Sequence, residues 1–145
     1  MNVAAILKGK SGAIATVRSD TSVAEAAKLL ASRRIGAVLV DGGKGAGGLA
    51  GILSERDIVR GLAERGAGVL DRPVGDLMTR DVVVTTSSHT IDRVMGLMTE
   101  RRIRHLPVVD NGALVGVISI GDVVKHRIAE IEREAEALRT YITAA

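Results

Sequence analysis

Ser22-Val23-Ala24-Glu25-Ala26-Ala27-Lys28-Leu29-Leu30-Ala31-Ser32-Arg33-Arg34-Ile35 is followed, sixty-eight positions on, by Thr90-Ile91-Asp92-Arg93-Val94-Met95-Gly96-Leu97-Met98-Thr99-Glu100-Arg101-Arg102-Ile103. Apolar residues recur at helical spacing in both, as Val23, Ala26, Ala27 and Leu30 and as Ile91, Val94, Met95 and Met98, and both end in Arg-Arg-Ile. The spacing predicts an amphipathic helix in each. Ser22 with Glu25 predicts a capping box, and Thr90 an N-cap without the reciprocal acid. A pattern repeated over this distance marks one structural unit used twice.

Beyond each helix stands a short apolar strand, Ala37 to Val40 and Leu106 to Val109, then a turn, then a second strand, Gly51-Ile52-Leu53 and Gly116-Val117-Ile118. In the second copy the turn is Asp110-Asn111-Gly112, and Asn-Gly accepts the positive φ angles of a tight hairpin. Each second strand runs into another helix, opened by Ser54-Glu55-Arg56-Asp57 and by Ser119-Ile120-Gly121-Asp122. Val3 to Leu7 and Val74 to Met78 share a lead-in pattern. The expected fold is α/β, two β-α-β-β-α repeats packed sheet to sheet with pseudo-twofold symmetry, plus a long C-terminal helix; a single copy would leave apolar surface exposed. The expected organisation is a first repeat with its lead-in over 1–65, a linker over 66–73, a second repeat over 74–127 and a helical extension over 128–145.

Hydrophobic residues make up 46% of the 145, yet Tyr141 is the only aromatic, so the core must be Val, Ile, Leu, Ala and Met. The absence of cysteine excludes disulfides and thiolate metal sites and suits a reducing compartment, read as the cytoplasm. The run Val3 to Leu7 is too short for a signal-peptide core, and no stretch has the apolar length of a membrane span. The net charge of +3 comes from 20 basic residues interleaved with 17 acidic ones. Without a basic patch or stacking aromatics, nucleic acid is not the expected partner.

Gly51-Ile52-Leu53-Ser54-Glu55-Arg56-Asp57, Gly116-Val117-Ile118-Ser119-Ile120-Gly121-Asp122 and Ile103-Arg104-His105-Leu106-Pro107-Val108 resemble the CBS domain, the family named for cystathionine β-synthase, here paired as a stand-alone Bateman module. The resemblance covers nearly the whole chain. It implies a regulatory module without catalytic activity that binds AMP, ADP, ATP or NAD as a regulatory ligand, requires no cofactor and acts on a partner protein. The first copy departs from the pattern: Ile35 to Asp41 is one residue shorter than Ile103 to Asp110 and lacks the Arg-His pair.

On this resemblance Ser54 with Asp57, and Ser119 with Asp122, are expected to meet a ribose, since a carboxylate accepts two hydrogen bonds from a diol. Ser-x-x-Asp at a helix start is equally an N-terminal capping pair, so the four residues alone leave both readings open. Arg56, Arg104 and His105 are candidates for phosphate contact, with solvated surface charge as the alternative. The adenine is expected among aliphatic side chains and backbone near Thr16, Ala37, Val84 and Pro107.

Other motifs carry less. His89, His105 and His126 have no metal-ligand spacing, and no nucleophile-base arrangement is visible. Gly43-Lys44-Gly45-Ala46-Gly47-Gly48 matches a dinucleotide-binding fingerprint, but a strand follows where a helix is required, so a hairpin loop is expected. Val124, Ile128, Ile131, Ala135, Leu138 and Ile142 form a heptad stripe, which either packs on its own domain over its first turns or joins two chains as a homodimer.

Overall fold

The computed structural model describes residues 1–10 and 14–144. In chain order the elements are α1 (Val3–Lys8), β1 (Thr16–Val17), α2 (Val23–Arg33), β2 (Ala37–Asp41), β3 (Leu49–Ser54), α3 (Glu55–Arg65), α4 (Ile91–Arg101), β4 (His105–Asp110), β5 (Ala113–Ser119) and α5 (Ile120–Ala144). Short 3-10 turns at Ala67–Asp71 and Val74–Asp76 connect α3 to the second copy.

The repeated stretch forms helices α2 and α4, each with an N-cap: Ser22 Oγ accepts from the Glu25 N–H, which is the serine half of the predicted capping box, and Thr90 Oγ1 accepts from the Arg93 N–H. Their shared Arg-Arg-Ile ending is a common stop. Arg34 and Arg102 sit in the left-handed region (φ 53° and 55°). In each the following isoleucine N–H reaches five residues back, Ile35 to the Leu30 carbonyl and Ile103 to the Met98 carbonyl, satisfying carbonyls the last helical turn leaves open.

Two compact units result, and their bounds are not those of the sequence repeats. One, the α2/α3 unit, comprises Ala13–Val84 and Val109–Val115; the other, the α4/α5 unit, comprises Met1–Gly12, Thr85–Val108 and Gly116–Ala145. The lead-ins are therefore exchanged. Residues 72–79 serve helix α2: Val23 N–H donates to the Arg72 carbonyl and Val74 N–H to the Thr21 carbonyl. The N-terminal lead-in serves α4 in the same pattern, with Ile91 N–H donating to the Met1 carbonyl and Val3 N–H to the His89 carbonyl.

In the α2/α3 unit, β1 pairs parallel with β2, and β2 antiparallel with β3. Its core joins Val23, Ala26 and Leu30 of α2, Val38 and Val40 of β2, Leu53, Ile58 of α3, and Val74 and Met78 of the lead-in. The loop at 43–48 holds a 3-10 turn, Ala46–Gly48, and then enters β3, so the glycine-rich run is a hairpin loop and not a dinucleotide fingerprint.

β4 and β5 form a two-stranded sheet, of which the residues up to Val108 and from Gly116 belong to the α4/α5 unit; there the first strand of the repeat shrinks to a single parallel bridge, Thr85 with Val108. Val3, Ile6, Ile91, Val94, Met98, Leu106, Val108, Ile118 and Val123 are the buried apolar residues of that unit. Only Val123 of α5 is buried, and beyond Ile131 nearly every side chain of that helix is exposed.

Candidate functional site

Each unit has a corner where the second hairpin strand turns directly into a helix, and the carboxylate predicted to bind a ribose stands there. Equivalent backbone bonds build both. The first helical N–H returns to the residue before the first hairpin strand, Glu55 to the Gly36 carbonyl (2.9 Å) and Ile120 to the Arg104 carbonyl (2.8 Å).

At the first corner Asp57 is buried. Its Oδ2 accepts from the Ser54 N–H (2.9 Å) and the Ser54 hydroxyl (3.2 Å), while Ser54 Oγ accepts from the Asp57 N–H (3.3 Å), completing a capping box. Oδ1 accepts from the Thr79 hydroxyl (3.4 Å), with the Arg60 guanidinium 3.6 Å away. The capping reading of Ser-x-x-Asp thus describes the protein as it stands, and it holds the carboxylate at a helix N-terminus, where the exposed N–H groups favour an anion.

At the second corner Asp122 repeats the arrangement: Oδ2 accepts from the Ser119 N–H (2.9 Å), and Ser119 Oγ from the Asp122 N–H (3.2 Å). Lys10 of the N-terminal segment adds a bond to the same Oδ2 (2.8 Å) and a second to the Val117 carbonyl (2.8 Å). Burial pushes the Asp122 carboxyl up, but the Lys10 hydrogen bond, the Ser119 N–H and the Lys10 charge outweigh it and hold the group below the ordinary carboxylate range.

The remaining predicted residues distribute between the units. Ala37 is half-buried and registered opposite Ser54, and Thr16 is exposed on β1 opposite Leu39. Arg56 is exposed on the first turn of α3 and makes no ion pair among the described residues. In the other unit Arg104 is exposed at the entrance to β4, His105 is its half-buried first residue, and Pro107 is buried with its carbonyl accepting from the Thr85 N–H. Val84 is half-buried. The equivalent bridges Thr16 with Leu39 and Thr85 with Val108 make Thr85 the counterpart of Thr16; Thr85 is buried, its hydroxyl 2.7 Å from His89 Nδ1.

Lys10, Thr79 and Arg60 were not singled out from sequence. Thr79 and Lys10 follow the two lead-ins, and each sends a side chain to the carboxylate of its own unit. The cations also trade places: where α3 carries Arg56, α5 carries Gly121, and where Arg104 precedes β4, Gly36 precedes β2. No group of three or more His, Cys, Asp or Glu suited to a metal ion occurs among the described residues.

Comparison with known proteins finds the CBS domain matched twice, at residues 11–64 and 74–129. The mitochondrial CBS domain-containing protein CBSX3 of Arabidopsis thaliana is 36% identical over 139 residues, 93% of this chain and 68% of that protein. The CBS-domain protein ATU1752 of Agrobacterium tumefaciens superposes with a TM-score of 0.81 at 43% identity, over 88% of this chain and 99% of that one. The CBS domain pair of protein MJ0100, solved with 5'-methylthioadenosine and S-adenosyl-L-methionine, superposes with a TM-score of 0.76 at 27% identity, over 90% of this chain and 98% of that one.

Proposed function

The chain belongs to the CBS-domain family, and from that premise we propose that it is a regulatory module that binds an adenine nucleotide and alters the behaviour of a partner protein without catalysing a reaction. The observation that carries this reading is the repeated corner: Asp57 and Asp122 each stand at a helix N-terminus, held by a serine three residues before. An ionised carboxylate there is an acceptor pair for a ribose diol, and the helix N-terminus favours the phosphate that follows. The adenosine ligands named for the MJ0100 pair share that ribose and base.

In this reading Ser54, Asp57, Ser119 and Asp122 hold the ribose. Arg56, Arg104 and His105 meet phosphate, and Thr16, Ala37, Val84 and Pro107 border the base. At the second corner Asp122 Oδ2 accepts from Lys10 and the Ser119 N–H. The exposed face of α5 adds a homodimer to the proposal, and the lack of cysteine suits a reducing compartment, with the cytoplasm as the proposed one. No helix among the described residues is long and apolar enough to cross a membrane.

Titration calorimetry with AMP, ADP, ATP, NAD and S-adenosylmethionine, with mass spectrometry of nucleotide copurifying with the protein, tests the reading. Saturable heat with at least one of these ligands is expected. No heat with any of them and no copurified nucleotide would leave the second reading, an interaction module acting through α5.

A further inference from the structure

The stripe Val124, Ile128, Ile131, Ala135, Leu138 and Ile142 does not pack on its own unit. Its five large members are exposed by between 42% (Val124) and 65% (Ile142), while Val123, a quarter-turn away, is buried. An apolar seam on a helix extended this far into water calls for a partner, because an isolated helix of a few turns is marginal by itself.

We propose that α5 pairs with α5 of a second copy as a parallel, in-register two-stranded coiled coil. The proposal rests on the homodimer reading above and specifies the orientation of the two chains. The charges beside the seam carry it. With Ile128, Ala135 and Ile142 as one core set and Val124, Ile131 and Leu138 as the other, the flanking positions are Lys125, Glu132 and Arg139 on one side and Arg127, Glu134 and Tyr141 on the other. In a parallel coil a residue on the second side faces the partner residue five positions later on the first. That places Arg127 opposite the partner's Glu132 and Glu134 opposite the partner's Arg139, and twofold symmetry makes four opposite-charge pairs.

An antiparallel coil that buries all six core positions has the reverse outcome. Lys125 then faces the partner's Arg139, Glu132 faces the partner's Glu132, and Glu134 faces the partner's Glu134. Every charged pair is repulsive, and like charges held side by side reject an orientation that the apolar seam alone would tolerate. The existing contacts of these residues do not oppose the parallel pairing: Arg139 and Glu136 form an exposed, intrahelical pair, and exposed pairs of this kind contribute little. Arg127 already lies beside Glu130 and Asp92, so a partner carboxylate would join an acidic cluster around it, and Glu134 with Arg139 is the more decisive pair.

The full chain contains no cysteine, so one introduced thiol reports orientation without interference. Leu138→Cys is prepared alone and mixed with Ile128→Cys, each is equilibrated in a glutathione redox buffer, and mass is followed by light scattering under reducing conditions. The proposal expects a dimeric mass and near-complete Leu138→Cys self-linkage, with few mixed 128–138 links. Dominant mixed links overturn the parallel orientation and leave the homodimer standing. A dimer that forms neither link shows that α5 is not the contact and overturns the proposal alone, whereas a monomeric mass at all concentrations removes the homodimer reading and this proposal with it.

Discussion

Lys10 Nζ lies 2.8 Å from Asp122 Oδ2, whereas in the other unit the equivalent carboxylate, Asp57, takes a neutral hydroxyl from Thr79 at 3.4 Å. Two corners built by the same backbone bonds therefore differ in what the lead-in supplies. The lead-in of each unit reaches its carboxylate, but only at Asp122 does it bring the cation; at Asp57 the cation is Arg60 of α3, 3.6 Å from Oδ1.

Lys10→Met should lower stability at neutral pH by about 0.5 to 1 kcal/mol, the range of partly exposed ion pairs. Asp122 is held below its ordinary range in the folded protein, so its contribution is present above the unfolded carboxylate value and is lost as pH falls through the depressed folded value. Parent and variant should thus differ by a constant amount above about pH 5 and converge as the solution is acidified below about pH 4, where carboxylates ordinarily titrate. Urea unfolding at a series of pH values measures this. A difference that persists unchanged at low pH would mean that Lys10 acts through its bond to the Val117 carbonyl instead.

Asp57→Asn and Asp122→Asn keep an acceptor for the serine N–H and remove the charge. If these carboxylates hold a ribose, each change should weaken AMP binding at its own corner by about 2 kcal/mol, roughly thirtyfold. Calorimetry on the single and double variants, with circular dichroism to verify folding, checks the assignment. A folded double variant that binds as tightly as the parent would falsify it.

Arg56 and Arg104 occupy different places on the two corners, one on the first turn of α3 and one at the entrance to β4. Arg56→Ala should reduce the preference for AMP over adenosine at the first corner, Arg104→Ala at the second, with adenosine affinity nearly unchanged in both. Losing a charged hydrogen bond to phosphate costs about 1.5 to 3 kcal/mol. Equal losses for the two ligands would assign the arginines to support of the corner and not to phosphate.

The helices and hairpins were legible in sequence because their signals are local. Apolar spacing marks α2 and α4, Asn111-Gly112 marks the β4–β5 turn, and Ser-x-x-Asp marks the corners. The exchanged lead-ins were not legible: Val3 to Leu7 and Val74 to Met78 share one pattern, and nothing in that pattern says which helix each will serve. Lys10 was invisible for the same reason, since it meets Asp122 across 112 positions with no motif linking them. The first strand of the second copy was legible only as a place in the β-α-β-β-α order, and pairing there occurs only at Thr85, because strand length depends on partners that periodicity does not reveal.

Gly51 and Gly116 are equivalent positions on β3 and β5, and both let a lead-in lie against the strand. A Cβ on Gly51 would stand 2.7 Å from the Thr79 carbonyl oxygen and 2.7 Å from Met78 Sδ; on Gly116 it would stand 2.5 Å from Leu7 Cδ2, with the next nearest atoms at 3.5 Å or beyond. The shorter distance is the less costly one. Leu7 Cδ2 is the far end of a rotatable side chain, whereas the Thr79 carbonyl is fixed by reciprocal backbone bonds with Ile52 (3.0 and 2.8 Å). Gly51→Ala should therefore cost about 1 to 3 kcal/mol, the range of forced overpacking, and Gly116→Ala less than about 1.5 kcal/mol. Because Thr79 also donates to Asp57, displacing it in Gly51→Ala should disturb the first corner as well and weaken ligand binding there, while Gly116→Ala leaves that corner intact. Urea unfolding and calorimetry on the two variants make the comparison. Equal destabilisation would show that the lead-in over β3 yields as readily as a leucine side chain, and that the Ile52–Thr79 bridge does not hold the first carboxylate in place.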